Sequence, residues 1–411
     1  MLQTNQKLRM LICIMMIFHY KHGHFIFLKK LCLAILCCTV VVFCSTYAQN
    51  SSIVTGAERL DQYISDLKNK NIAIVANQTT IIKKEHLVDV LLNEGVNVQK
   101  VFSPEHGFRG KSDAGEKVKD EFDLQTGLPI YSLYGKAKRK PSKELLKDVD
   151  IMLFDLQDVG ARFYTYISTL HYVMEACAEN NIPLYIFDRP NPNGFYVDGP
   201  ILDLKYNSFI GMHPIPVVHG LTIGEYASMI NGEKWLNDSL HCKLKIITCE
   251  NYDHSMKYKL PIPPSPNLPN MKSVYLYPSL CFFEGTNVSV GRGTTFPFQV
   301  YGAPYLKKYA FNFTPKSMFG AKHPKHQGEK CFGQKFYDLN EDSLSMVKHL
   351  NFNWLVETFH TFGDDPTFFN KNNFFNLLAG SDKLMNLIKG GANASQIRET
   401  YQNELKEFKV L

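Results

Sequence analysis

"VDIMLFDLQDVGARFYTYISTLHYVMEACAENNIPLYIFDRPNPNG", residues 149 to 194, decides the fold. An apolar run ends at Asp155, a polar cluster follows, residues 164 to 181 carry apolar positions at helical spacing, and a second apolar run ends at Asp188. Two short, wholly apolar strands around a helix are the signature of a βαβ unit, whose parallel strands are buried on both faces. The same grammar holds upstream, in "NIAIVAN" (71 to 77), the helical "EHLVDVLLNEG" (85 to 95) and "VNVQKVF" (96 to 102). The expectation is an α/β fold with a parallel sheet and helices on both faces.

Each of these strands runs straight into polar residues: "NQT" (77 to 79), "SPEHG" (103 to 107), "DLQDVGARFYTY" (155 to 166) and "DRPNPNG" (188 to 194). In open parallel sheets ligands bind outside the carboxyl ends of the strands. The four clusters are therefore expected to meet at one rim and to form a site. No G-x-G-x-x-G follows the first strand, where "ANQTTIIKKEH" stands, so a dinucleotide has no support. "GRGTT" (291 to 295) lacks the lysine of a phosphate loop and reads as a tight turn that allows close backbone approach.

With 411 residues, 45% hydrophobic and 20% charged, the chain has room for two domains and a sizeable core. The net charge of +6 is modest and dispersed, apart from "YGKAKRKPSK" (134 to 143), which reads as a solvated turn; nucleic acid is not an expected partner. The N-terminal region differs from the rest: two lysines, an apolar run from Leu31 to Cys44 and small residues before Ala48 form a signal-peptide pattern. Residues 1–48 are thus read as a signal peptide with an uncertain extension, Met15 or Met16 being alternative starts. The run is too short for a retained span, which needs about 20 residues. Export to the periplasm or medium follows, and Phe43 disfavours lipid attachment at Cys44. Outside this leader stand Cys177, Cys242, Cys249, Cys281 and Cys331, an odd number without C-x-x-C, which argues against a disulfide framework or zinc site. Buried thiols are expected, a Cys242–Cys249 bridge being the alternative.

"SPEHGFRG", "DAGE", "TGLPIYSLYG", "DLQDVGARFYTY", "DRPNP", "VHGLTIGE", "PPSPNLP", "YPSLCFFEGTNVSVGRGTTFPFQVYGAP" and "LAGSDKL", in this order, resemble the NamZ-type exo-β-N-acetylmuramidases over residues 56 to 411. The resemblance implies a Rossmann-like catalytic domain, here 56–221, and a smaller α+β C-terminal domain, 222–411, closing a cleft between them without a nucleotide. It also implies release of N-acetylmuramic acid from the non-reducing end of peptidoglycan fragments. Ile262 stands where such sequences commonly have tryptophan.

Glycoside hydrolysis needs an acid for the leaving oxygen and usually a second carboxylate. Glu105, placed directly after a strand and a proline, is the expected acid, and the resemblance implies the same position. Glu116 is the favoured partner, with Asp113, Asp155 and Asp158 as alternatives. A lactyl carboxylate calls for arginine, whose planar fork donates two parallel bonds. Arg109, Arg162, Arg189 and Arg292 are candidates for that clamp. Tyr164 and Tyr166 offer stacking or hydroxyl contacts, His106 an orienting group for Glu105, and Gln157, Asn191, His219, Asn267, Glu284 and Asn287 further contacts. Thr222 to Glu225 has capping-box spacing, so Glu225 is assigned a structural task. No H-E-x-x-H or similar spacing suggests a metal. "LPIPPSPNLP" (260 to 269), with five prolines, can be neither helix nor central strand and is expected as an extended wall of the cleft. A cell-wall amidase or deacetylase and a secreted carbohydrate-binding protein are the competing classes; the first lacks an assembled nucleophile or metal set, and the unbroken "SPEHG" speaks against the second.

Overall fold

The computed structural model describes residues 52–105, 107–109, 120–135, 139–363 and 365–411. The signal-peptide segment, Cys44, His106, Asp113 and Glu116 lie outside the described residues.

Among the described residues seven strands build the main sheet: β1 (Asn71–Ala76), β2 (Asn97–Ser103), β3 (Glu121–Phe122), β4 (Pro129–Ser132), β5 (Ile151–Asp155), β6 (Leu184–Phe187) and β7 (Leu244–Ile247). Their order is β3-β4-β2-β1-β5-β6-β7. All neighbours are parallel except β3, which pairs antiparallel with β4 at the edge. This is the Rossmann-like α/β architecture expected. Strand alternation divides the core in two. Ala73, Val75, Met152, Phe154, Leu184 and Ile186 face one apolar cluster. Ile72, Ile74, Ala76, Ile151, Leu153 and Phe187 face the other. Since successive side chains point to opposite faces, a strand covered on both sides must be apolar throughout.

The helices follow from the same pattern. α1 (Leu87–Asn93) joins β1 to β2. It starts two residues later than the periodicity suggests, because Glu85–His86 pairs with Ile81–Ile82 and the His86 ring accepts from the Val88 amide. α2 (Tyr166–Glu179) joins β5 to β6 and buries Tyr166, Leu170, Val173 and Met174 against the sheet. Its stop is written in "ENN": Asn181 is left-handed (φ 57°) and the Ile182 amide returns to the Cys177 carbonyl at 2.9 Å, a Schellman closure. α3 (Ile223–Gly232) joins β6 to β7 and begins with the Thr222–Glu225 capping box. The sheet thus takes its last strand from beyond the expected boundary at 221/222.

α4 (Met271–Leu280) leads into a C-terminal region with a small antiparallel sheet of β8 (Val300–Ala303), β9 (Phe311–Phe313) and β10 (Cys331–Lys335), β10 in the middle. α5 (Asn353–Thr361), α6 (Phe374–Ala379) and further short helices complete it. Its apolar side chains, among them Phe282, Phe352 and Phe375, join the cluster over α2, so the two regions share one core. Cys242 and Cys249 are free thiols. Among the described residues no helix is long and apolar enough to cross a membrane.

Candidate active site

The chain leaves β2 at Ser103, and the turn that follows is closed by the Gly107 amide on the Pro104 carbonyl at 3.2 Å. Gly107 has φ 76°, a conformation that favours glycine, and the turn holds Glu105 at its tip. Glu105 lines a cavity of about 830 Å³ between the sheet's rim and the C-terminal region. The Thr165 hydroxyl, at the start of α2, donates to Glu105 Oε2 at 3.3 Å. The Tyr134 hydroxyl, just past β4, also bonds Glu105, and burial together with that carboxylate pushes the phenol well above its ordinary range. A hydroxyl can donate to a carboxylate or accept from a carboxylic acid, so both partners suit a glutamate that changes protonation state.

The other side of the cavity comes from the C-terminal region. Arg292 sits in the tight turn "GRGTT", where Gly291 (φ 80°) and Gly293 (φ 79°) are left-handed. A Cβ on Gly293 would meet the Lys316 carbonyl at 2.6 Å, so the motif is the close backbone approach expected of it. Arg292 forms a two-pronged pair with Glu284, Nε to Oε1 at 3.0 Å and Nη2 to Oε2 at 2.8 Å, and lies over the Phe298 ring. Burial opposes the charge on Glu284, but Arg292 holds its carboxyl below the usual range. Lys325 and His323 line the same space. Phe163, Phe209 and Tyr277 give it aromatic walls.

Most of the described rim residues singled out from sequence bond one another or nearby backbone. Asp155 and Arg189 pair with each other while fully buried, Nη2 to Oδ2 at 2.8 Å, and Arg189 also donates to the Ile81 carbonyl. Burial works against the Arg189 charge, and Asp155 more than restores it. Gln157 donates to the Asp158 and Pro190 carbonyls, both at 2.9 Å. Asp158 accepts from the Gly160 amide at 2.6 Å and faces His219 at 3.5 Å, where the His219 Nδ1 accepts from the Leu221 amide. Asn191 donates to the Leu221 carbonyl and accepts from the Asn193 amide. Asp188 is spent on the start of α3, accepting from Thr222 and the Gly224 amide. The residues 155–158 and 188–191 therefore stitch the strand ends to one another, because loops buried at a rim must satisfy their own backbone groups.

Three of the four arginines are likewise committed away from the cavity. Arg109 pairs with Asp123 at 2.8 Å and Asp89 at 3.5 Å. Arg162 is wholly buried and donates to the carbonyls of Pro200, Ile215 and Leu378, and burial without a carboxylate pulls its pKa down to about 9. Tyr164 donates to the Pro264 carbonyl at 2.8 Å. The Tyr166 hydroxyl accepts from Asn77 at 2.7 Å. Asn287 donates to the Thr367 carbonyl. The proline-rich segment acts from behind: Asn267 holds the Gly320 carbonyl at 2.7 Å, and Gly320 begins a loop that lines the cavity.

Of the sequence candidates, Glu105, Glu284 and Arg292 share the cavity. Tyr134, Thr165 and Lys325 were missed. Thr165 lies between the two tyrosines that drew attention, at the junction where a loop becomes α2, and alternation does not predict which side chain faces out there. Tyr134 belongs to "YGKAKRKPSK", whose reading as a solvated turn is corrected for its described part: Arg139 covers the Phe209 ring, and Lys140 pairs with buried Glu175 at 3.1 Å and with Glu179 at 2.7 Å.

Two family descriptions match the chain: Exo-beta-N-acetylmuramidase NamZ, N-terminal, over residues 72–272, and its C-terminal counterpart over residues 275–411. The peptidoglycan beta-N-acetylmuramidase NamZ of Bacillus subtilis is 39% identical over 381 residues, covering 88% of this chain and 90% of its own. Two crystal structures of DUF1343 family proteins from Bacteroides fragilis are similar in fold. One has a TM-score of 0.81 at 47% identity, covering 88% of this chain and 97% of its own. The other has 0.72 at 30% identity, covering 87% and 97%. With both family segments matched in order across a single fold, the chain belongs to the NamZ family of exo-β-N-acetylmuramidases.

Proposed function

We propose that this protein releases N-acetylmuramic acid from the non-reducing end of peptidoglycan fragments in cell-wall turnover, with Glu105 as the general acid. The observation that carries this reading is Glu105, hydroxyl-bonded by Thr165 and Tyr134, in a cavity that Arg292 also lines. Glu105 donates its proton to the glycosidic oxygen as that oxygen's bond to the anomeric carbon breaks; water supplies the oxygen that the anomeric carbon bonds instead and the proton that restores the acid, and Tyr134 and Thr165 hold the carboxylate in between. Arg292 receives the lactyl carboxylate that distinguishes this sugar from N-acetylglucosamine, through the guanidinium edge it does not spend on Glu284. The second carboxylate is assigned to Glu116. The B. subtilis relative is named for the same bond and sugar. Export, with cleavage after Ala48, belongs to the same reading, and the mass of the mature chain checks it.

The test is hydrolysis of matched chromogenic glycosides by wild-type protein and by Glu105→Gln, which removes an ionisable proton at almost constant volume. Loss of a general acid lowers the rate by about 10² to 10⁴. A folded variant that turns over N-acetylmuramic acid glycoside at the wild-type rate removes Glu105 from the mechanism.

A further inference from the structure

Lys325 bonds the cavity wall in a way that ordinary packing does not require. Its ammonium donates to three backbone carbonyls, those of Phe283 at 3.3 Å, Val288 at 3.1 Å and Thr286. All three belong to the segment that leaves α4 and carries Glu284. The same segment turns a fourth carbonyl, that of Asn287, toward the Tyr305 hydroxyl and His326 Nε2, both at 2.7 Å. Converging carbonyl oxygens replace the hydration shell of a monovalent cation, and here the chain supplies the cation on its own four-carbon tether.

We propose that Lys325 is a positioning residue whose ammonium fills a carbonyl cage and thereby holds the Glu284–Arg292 wall ready for an anionic substrate. The proposal rests on the glycosidase reading above. Three carbonyls need three N–H donors, and only the protonated amine has three; the neutral amine has two and turns a lone pair toward oxygen. Losing the proton therefore opens the cage. Burial lowers the pKa of Lys325 to about 8, Glu284 opposing the fall and Arg292 adding to it. Tyr277 on α4, Cys281 just after it and Tyr305 in the loop after β8 are all raised by burial and stay neutral as Lys325 discharges. His326 faces the loop from the other side, paired with Glu329 at 3.3 Å.

The experiment is steady-state kinetics of the exported chain on an N-acetylmuramic acid glycoside from pH 6.5 to 9, for wild type, Lys325→Ala and Lys325→Met. KM of the wild type is expected to rise as pH passes about 8, with kcat changing far less. Lys325→Ala is expected to raise KM about tenfold or more, and potassium or propylammonium to restore it by entering the vacated cage, which the thioether of Lys325→Met blocks. The melting temperature of Lys325→Ala should rise with potassium or propylammonium more than with sodium. A wild-type KM flat from pH 7 to 9, or an alanine variant that no such cation restores in KM or melting temperature, overturns the cage. Should the wild type hydrolyse no such glycoside, the glycosidase reading fails instead, while the cation-dependent melting of Lys325→Ala still decides the cage.

Discussion

Asp155→Asn separates a stitched rim from a substrate site. Asp155 closes β5 at the point where strand order reverses on either side of β1, the place where a parallel sheet of this kind usually binds its ligand. Its carboxylate is 0% exposed, and both oxygens are taken by Arg189, itself 3% exposed. The asparagine side chain keeps one acceptor but removes the charge, leaving the guanidinium buried with only the Ile81 carbonyl and a neutral amide. Breaking one partner of a buried pair costs roughly 3–5 kcal/mol, because the surviving charge stays desolvated. Replacing both partners, as Asp155→Leu with Arg189→Met, should recover much of that loss, since no charge is then left buried. Equilibrium denaturation in urea gives the stabilities, and kinetics at a temperature where every variant is folded give kcat and KM. The expected result is a large stability deficit for the single variant, partial recovery in the double one, and KM within about threefold of wild type throughout. A stable Asp155→Asn protein with KM raised tenfold or more would place substrate at the switch point and refute the division of labour described above.

Arg292→Met should reduce the preference for N-acetylmuramic acid over N-acetylglucosamine glycosides by about tenfold or more, since the charge-assisted bond to the lactyl carboxylate, which only the first sugar makes, is lost; an unchanged ratio of kcat/KM values for the two sugars would count against Arg292 as the clamp. Acid should destabilise the fold through two buried histidines. Burial lowers His86 to about 4 and His213 to about 3, the latter bonded to Tyr226 and His171. Both are neutral when folded and protonate more readily when unfolded, so their contribution is present above about pH 6.5 and is lost as pH falls toward the folded values, by about 1.4 kcal/mol per unit and group. Urea denaturation at pH 7 and pH 5 measures this, and equal stability at both would remove these histidines from the balance.

The sheet was legible because its signal is local. Uninterrupted apolar runs such as "IMLFD" and "NIAIVA" have one explanation, burial on both faces, and the helix between β5 and β6 carries its own stop in "ENN". The capping box at Thr222 and the turn at Gly291 and Gly293 were readable for the same reason, since each depends on residues three or four apart. Glu105 was found by its place after a strand and a proline. What tertiary structure alone decided is which charges meet. Arg109, Arg162, Arg189 and Arg292 look alike in sequence, each embedded in a polar motif. Folding hands the first to Asp123, the second to three carbonyls and the third to Asp155, and brings only Arg292 into the cavity with Glu105. Partners 14 to 216 residues apart set these outcomes. A buried charge must find whatever counter-charge or carbonyl the fold places beside it, and only the packing of distant segments determines that neighbour.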